Sequence, residues 1–275
     1  MDTHLIAVDL DGTLLTDNKT ISLRNRAALA KARELGHKVI IATGRPYRAS
    51  GQYYHELFLD TPIVNFNGAL VHHPKDRHFD VSHQPMDKKT AKTIIETCEA
   101  FRVKNMMVEV MDDFYLRHLN RGFAEAFTLG NTPADYGKLE KLLHHDPTSI
   151  LVHPEEDHAD ELTTLLRSSH AEVTEQRNWG SPWNVIEITK GGVNKAVGVQ
   201  KVASHLGIPR ERIIAFGDED NDLEMLDYVG TGVAMSNAID QLKSVANEIT
   251  YTNEEDGIAR FLEERLRFSA VKEAR

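Results

Sequence analysis

The sequence predicts an α/β protein, a parallel-sheet core of Rossmann-like layering interrupted by an inserted α+β domain. Three observations carry this. Apolar strand-like runs alternate with helical stretches at both ends of the chain, the middle has a different texture, and 275 residues exceed one comfortable core.

Taken in order, His4 to Leu10 is a short apolar run ending in acid and glycine, which reads as a buried strand opening into a loop. Ser22 is placed to N-cap a helix over Leu23 to Leu35, and Gly36 to stop it. Lys38 to Ala42 repeats the buried-strand pattern and ends at Thr43-Gly44-Arg45. Strand, helix and strand at this spacing form a βαβ unit, and hence a parallel sheet. The alternation returns in a helix from Val193 to Leu206, a strand from Arg212 to Phe216, a helix from Asp222 to Tyr228 and a strand from Gly232 to Met235. A strand from Glu248 to Thr252 and a helix from Ile258 to Leu266 complete it.

Between these ends the sequence predicts helices over Lys88 to Phe101 and Glu155 to Ser168. Strands are expected near Met106 to Val110, Tyr115 to Leu119, Ile150 to His153 and Glu172 to Glu175. Two helices among several strands suggest a lid-like insertion over residues 83–187, with residues 1–82 and 188–275 forming the core. Neither an internal repeat nor a low-complexity tract is present.

Composition narrows the function classes. Thirty-two basic against 42 acidic side chains leave a formal charge of −10, which repels polyanions and argues against nucleic acid as a partner. An anionic ligand would have to be held locally. The first ten residues lack the basic and long apolar segments of a signal peptide, and no apolar run is long enough for a membrane span, so neither a membrane nor export is expected. The lone cysteine, Cys98, excludes an internal disulfide and falls on the stripe Ala91, Ile94, Ile95, Cys98, Phe101, so it reads as a core thiol in a protein of the reducing cytoplasm.

The chemistry-bearing residues sit at strand exits. Asp9 and Asp11 of the DLDGT run lie two apart, so an extended backbone would project both carboxylates the same way. At a separation of about 5 Å and an effective dielectric of about 20 they repel by roughly 3 kcal/mol, enough to require a cation or a proton. Solvated loop aspartates are the plainer alternative. Thr43 offers a hydroxyl and neighbouring backbone N–H groups at the second strand exit, a cradle for phosphate oxygens, though a helix cap before Pro46 fits equally well. Lys195 falls in the first turn of a helix, where the helix dipole disfavours a cation by about 0.3–1 kcal/mol unless an anion is near. Gly217-Asp218-Glu219-Asp220-Asn221-Asp222 concentrates hard oxygen ligands of the type Mg²⁺ selects, without the spacing of an EF-hand. Strand C-termini and helix N-termini share one edge of a parallel sheet, so Asp9, Thr43, Lys195 and Asp218 should converge on one crevice.

The 14 histidines include the adjacent pairs His72-His73 and His144-His145, and His153 with His158, but none has zinc-protease spacing. Tyr53, Tyr54, Trp179 and Trp183 read as packing residues, with the tryptophans close enough to the end of the insertion to line a pocket.

These motifs together resemble the haloacid dehalogenase-like superfamily of phosphohydrolases, in particular its Cof-type branch with a large C2B cap. DLDGT resembles its first motif, Ala42 to Arg45 its second, Lys195 its third and GDEDND its fourth. Asn67-Gly68-Ala69, Val233 to Ala238 and Asn253 to Gly257 resemble secondary signatures of the branch. Gly191-Gly192 and Ser236 depart from its usual pattern. The resemblance implies Mg²⁺-dependent hydrolysis of small phosphate monoesters, sugar phosphates or phosphorylated cofactors, through an aspartyl-phosphate. It implies Asp9 as nucleophile and Asp11 as acid and base. Asp9, Asp218 and the backbone carbonyl of Asp11 would hold the metal. Leu10, Thr43, Gly44, Lys195 and Asn221 would hold the phosphoryl oxygens, and Asp222 would orient Lys195 or a metal-bound water. Arg45, Asn67 and the segment Arg177 to Asn184 are candidates to face the substrate. A phosphomutase and a phosphometabolite-binding regulator are the alternatives.

Overall fold

The computed structural model describes residues 2–119, 131–170, 174–178 and 185–268, and the chain divides into two compact units. The first comprises Met1–Arg45, Ser50–Val81 and Asn194–Arg275, and the second Pro46–Ala49 and Ser82–Val193.

In the first unit, β1 (Leu5–Val8) is followed by α1 (Leu23–Glu34) and β2 (Lys38–Ile41). Ser22 caps α1 by accepting a hydrogen bond from the Asn25 N–H, and Gly36 adopts φ +92° just past the helix end. After α2 (Tyr47–Glu56), β3 (Ile63–Asn65) and β4 (Leu70–His72) form an antiparallel pair around a tight turn in which Asn67 has φ 52°. The chain returns to this unit through α6 (Lys195–Leu206), β12 (Ile213–Gly217), α7 (Leu223–Tyr228), β13 (Thr231–Ala234), α8 (Asp240–Val245), β14 (Glu248–Ile249) and α9 (Gly257–Arg265). The strands order as β14-β13-β12-β1-β2, all parallel, and β3 continues the array through a parallel bridge between Ala42 and Val64. Every residue of β1 is fully buried, as a central parallel strand covered on both faces requires. Leu5, Ala7, Ile40, Ile213 and Ala215 pack there with Val199 and Val202 of α6.

The second unit holds β5 (Ser82–His83), α3 (Lys88–Ala100), β6 (Asn105–Val110), β7 (Asp113–Leu116), β8 (Asp135–Tyr136), α4 (Leu139–Leu142), β9 (Ser149–His153), α5 (Ala159–His170), β10 (Thr174–Asn178) and β11 (Ile186–Lys190). Its six-stranded sheet runs β10-β11-β9-β6-β7-β8, antiparallel except for β7 and β8. The predicted stripe on α3 is buried against Met106, Val108, Ile150, Val152, Ile186 and Ile188, and burial pushes the Cys98 thiol up to about 12. The division between units falls after Val193, because β11 pairs with β9 and β10. Trp179, Trp183 and positions 179–184 lie outside the described residues. Among the described residues no helix is long and apolar enough to cross a membrane.

Where β1 and β2 begin, two histidine rings pack 5.2 Å apart, and the His4 N–H donates to His37 Nδ1 at 3.1 Å. Among the described residues His37 Nε2 is buried without a hydrogen-bond partner, and burial followed by the neighbouring His4 depresses its pKa below 6.5. The unfolded chain therefore binds this proton more readily, so the stability it contributes is present above about pH 6.5 and is lost as pH falls through the folded pKa. Thermal midpoints of wild type and His37→Asn, taken from pH 7.5 to 5, should converge as acid is added. Their difference isolates the ring from other titrating groups, and parallel curves would exclude this account.

Candidate active site

β1 and β12 are adjacent, so the residues leaving their C-terminal ends meet. Asp9 still donates its N–H to the Phe216 carbonyl (3.1 Å), and Asp218 follows the last residue of β12. Lys195 is the first residue of α6, behind Asn194, whose side chain accepts from the Val197 N–H. Its ammonium is fully buried and donates to Asp9 Oδ1 and Asp222 Oδ1, both at 2.7 Å. The cation that the helix dipole disfavours is thus held by two carboxylates.

Asp222 has a second task. Its Oδ2 accepts from the backbone N–H groups of Asp218 (3.1 Å) and Glu219 (3.3 Å), folding the acidic loop onto itself. A Cβ on Gly217 would lie 2.4 Å from Asp222 Cγ, which accounts for glycine there. The Thr13 hydroxyl donates to Asp218 Oδ1 at 2.6 Å. Gly12, at φ +73°, passes so close to Asp218 that a Cβ would sit 2.1 Å from Oδ2.

Carboxylate oxygens of Asp9, Asp218 and Asp222 lie within 4.8 Å of one another, and all three residues are buried. One ammonium cannot balance three carboxylates. Burial, with Asp222 and Asp218 adding repulsion against the pull of Lys195, raises Asp9 well above the usual carboxylate range. Burial likewise lifts Asp218 to about 7 despite its bond from Thr13. Burial would lower Lys195, but Asp222 and Asp9 outweigh it and drive the ammonium pKa up. The excess negative charge of hard oxygens suits a divalent cation such as Mg²⁺. Among the described residues, the hydrogen bonds to Asp9 and Asp218 carboxylates fall on Oδ1, so the second oxygen of each is open to such an ion. No histidine among the described residues belongs to this cluster.

Asp11 behaves differently from the expectation of two carboxylates projected the same way from the end of the strand. It lies beyond the extended segment, one residue before Gly12 at positive φ, so strand alternation does not govern it. Its carboxylate accepts from Arg45 Nε at 2.6 Å and Nη2 at 2.5 Å, and from Lys19 Nζ at 2.8 Å. Burial would raise its pKa, but Arg45 and then Lys19 outweigh it and hold the carboxyl at about 2. The high pKa of Asp9 arises from burial and the acids at 222 and 218.

Thr43 is buried, and its hydroxyl accepts from the Arg45 N–H at 3.1 Å while its own N–H donates to the Val64 carbonyl at 2.9 Å. It lies at the strand exit, and α2 starts at Tyr47. The Asn67 N–H donates to the Thr43 carbonyl (3.1 Å), and the Asn221 amide donates to Asn67 Oδ1 (3.0 Å). A Cβ on Gly44 would stand 3.2 Å from Asn67 Oδ1, so Thr43, Gly44, Asn67 and Asn221 share one neighbourhood. Leu10 is fully buried between the two aspartates. Tyr53 lies under the Arg45 guanidinium at 5.6 Å, and the Asn65 amide donates to the Arg45 carbonyl at 2.8 Å while its Oδ1 accepts from His72 Nε2 at 3.1 Å.

Thr13, Lys19, Tyr53 and Asn65 were not expected at the site. Only Thr13 left a signal, by completing the DLDGT run.

Residues 6–262 match the family model of haloacid dehalogenase-like hydrolases. The 5-amino-6-(5-phospho-D-ribitylamino)uracil phosphatase YitU of Bacillus subtilis is 49% identical over 261 residues, covering 95% of this chain and 97% of that protein. The pyridoxal phosphate phosphatase YbhA of Escherichia coli is 32% identical, with 95% and 98% covered. The crystal structure of TM0651 from Thermotoga maritima superposes with a TM-score of 0.84 at 27% identity, covering 96% of this chain and 97% of that one.

Proposed function

Since the chain belongs to the haloacid dehalogenase-like hydrolase family and is a phosphatase of its Cof type, we propose that it hydrolyses a small phosphate monoester through a phosphorylated Asp9. The observation that carries this is the fully buried Lys195 bridging Asp9 and Asp222 at 2.7 Å beside Asp218, which gathers a nucleophile, an anion-binding cation and an acidic metal cradle at one sheet edge.

In this reading one carboxylate oxygen of Asp9 attacks phosphorus, and the bond to the leaving oxygen breaks. Asp11 gives that oxygen its proton, then accepts one from the water that cleaves the acyl phosphate. Lys195, Thr43, the N–H groups of Leu10 and Gly44, and Asn221 hold the equatorial oxygens, where charge stabilisation counts most. Asp222 fixes Lys195 through the bond at 2.7 Å. Asp9, Asp218 and the Asp11 carbonyl would hold Mg²⁺, which when bound offsets the charge of the carboxylates and phosphoryl group. Asp11 must shed Arg45 and Lys19 to take up its proton, and an arriving phosphate dianion offers Arg45 another partner. This gives Arg45, with Asn67 alongside, a role in substrate binding.

The substrate we favour is the phosphoribitylamino-pyrimidine ester named for the relative at 49% identity, which matches over nearly its whole length. A panel of that ester, pyridoxal phosphate, hexose phosphates and para-nitrophenyl phosphate tests the reading by phosphate release. The pyrimidine ester should show the highest kcat/KM, excess chelator should abolish turnover, and Mg²⁺ should restore it. Full activity in chelator would refute the metal-dependent mechanism, while a hexose phosphate better by about tenfold, 1.4 kcal/mol in transition-state binding, would refute the substrate assignment alone.

A further inference from the structure

The loop from Leu10 to Ile21 carries Asp11, and two asparagines from the far end of the chain hold it. The Asn237 amide donates to the Gly12 carbonyl at 2.8 Å, and Asn237 Oδ1 accepts from the Asn253 N–H at 3.1 Å. The Asn253 amide in turn donates to the Leu15 carbonyl at 3.0 Å and to Asp17 Oδ1 at 3.2 Å. Beside it, the Asp17 N–H donates to Glu254 Oε1 at 2.6 Å.

The positions held are informative. Gly12 lies between Asp11, whose carboxylate faces Arg45, and Thr13, whose hydroxyl holds Asp218. Its backbone is in the left-handed region at φ +73°, and no Cβ fits against Asp218. The orientation of the Gly12–Thr13 peptide therefore bears on how the turn presents Asp11, the residue before it. Among the described residues, Asn237 is the side chain that donates to the Gly12 carbonyl. An amide suits this place because it must donate to a carbonyl on one side and accept from an N–H on the other; a carboxylate can only accept. Asn253 is buried, so it is a fixed anchor, whereas Asn237 is exposed and can be changed without opening the core.

We propose that Asn237, braced by Asn253, is a positioning residue that aligns Asp11 for proton transfer to the leaving oxygen. This rests on the assignment of Asp11 as the acid. The balance of the step is unchanged: the P–O bond breaks, Asp11 loses its proton and the leaving oxygen gains it. Asn237 acts only by holding the turn that presents Asp11.

The test separates positioning from general damage through the leaving group. Nitrophenolate departs without protonation and an alkoxide does not, so misalignment of Asp11 must cost the alkyl ester more. Values of kcat/KM, which report phosphoryl transfer to Asp9, would be measured for para-nitrophenyl phosphate and for the best alkyl phosphate of the panel. Asn237→Ala should lose about tenfold on the alkyl ester and less than about twofold on the nitrophenyl ester, with a thermal midpoint near wild type. Asn237→Asp, which sets a carboxylate oxygen against the Gly12 carbonyl, should lose at least as much. Asp11→Asn should show the same selectivity at larger size. Equal losses on both esters in Asn237→Ala, or none, would overturn the positioning role while the preference in Asp11→Asn leaves the mechanism intact. Loss of the preference in Asp11→Asn as well would overturn both.

Discussion

Replacing Asp9 with Asn should abolish phosphate release, by about four orders of magnitude or more, in a protein at least as stable as the wild type. The two halves of this expectation come from one observation. An amide oxygen can still accept the Lys195 hydrogen bond at the position of Oδ1, so the local packing survives. Burial and the acids at 222 and 218 already disfavour the charge on Asp9, so a neutral side chain of the same shape relieves repulsion in the metal-free protein. The amide, however, lacks a nucleophilic oxygen and offers a metal a weaker ligand. Phosphate release in saturating Mg²⁺ and thermal midpoints in chelator check the two parts separately. Turnover within about a hundredfold of wild type would remove Asp9 from the covalent role, and a large drop in midpoint would show that its charge supports the fold.

How much of this site could be read from the residues depends on what places them. Asp9, Thr43 and Asp218 follow apolar runs whose strand character is set by local composition, and parallel pairing then puts their exits on one edge. Lys195 was legible for a different reason, since a cation at a helix start is disfavoured unless an anion is near, and Asp9 and Asp222 supply two. The partners of Asp11 were not legible. They depend on a turn at positive φ and on Arg45 arriving from another strand exit, a contact across 34 positions that leaves no periodic mark. The same holds for Asn237 and Asn253, whose bonds to the loop span more than 200 positions. In the second unit the helical stripe of α3 announced itself by spacing, whereas β8 is only two residues long, and β11 reads equally well as the approach to the lysine helix. A two-residue edge strand such as β8 takes its identity from the neighbour it pairs with, and a sequence does not display that neighbour.

Replacing Lys195 with Met should be the most damaging change to stability that the site allows. The side chain is fully buried, and methionine fills much the same length, so the loss is one of charge and not of volume. Without the ammonium, Asp9, Asp218 and Asp222 are left facing one another out of water, and breaking a buried pair in this way costs about 3–5 kcal/mol. Activity should fall by about a thousandfold, since the phosphoryl oxygens lose their buried cation. The pH dependence gives the cause away. Asp218 is already raised to about 7, and Asp9 well above its ordinary 3.8, so the folded protein binds these protons more tightly than the unfolded chain. Stability from the pair is therefore fully present below about pH 4 and is lost as pH rises through the folded values. Removing Lys195 takes away a group that opposes both shifts, so the loss on raising pH should steepen and extend further into the alkaline range. Adding Asp222→Asn to the Lys195→Met protein should recover part of the midpoint, because it deletes one of the stranded charges, and Mg²⁺ should recover part of it by the same logic. If the double variant were no more stable than the single one across pH 5 to 9, the three acids would not be in electrostatic contact. The shared crevice would then lose its physical basis.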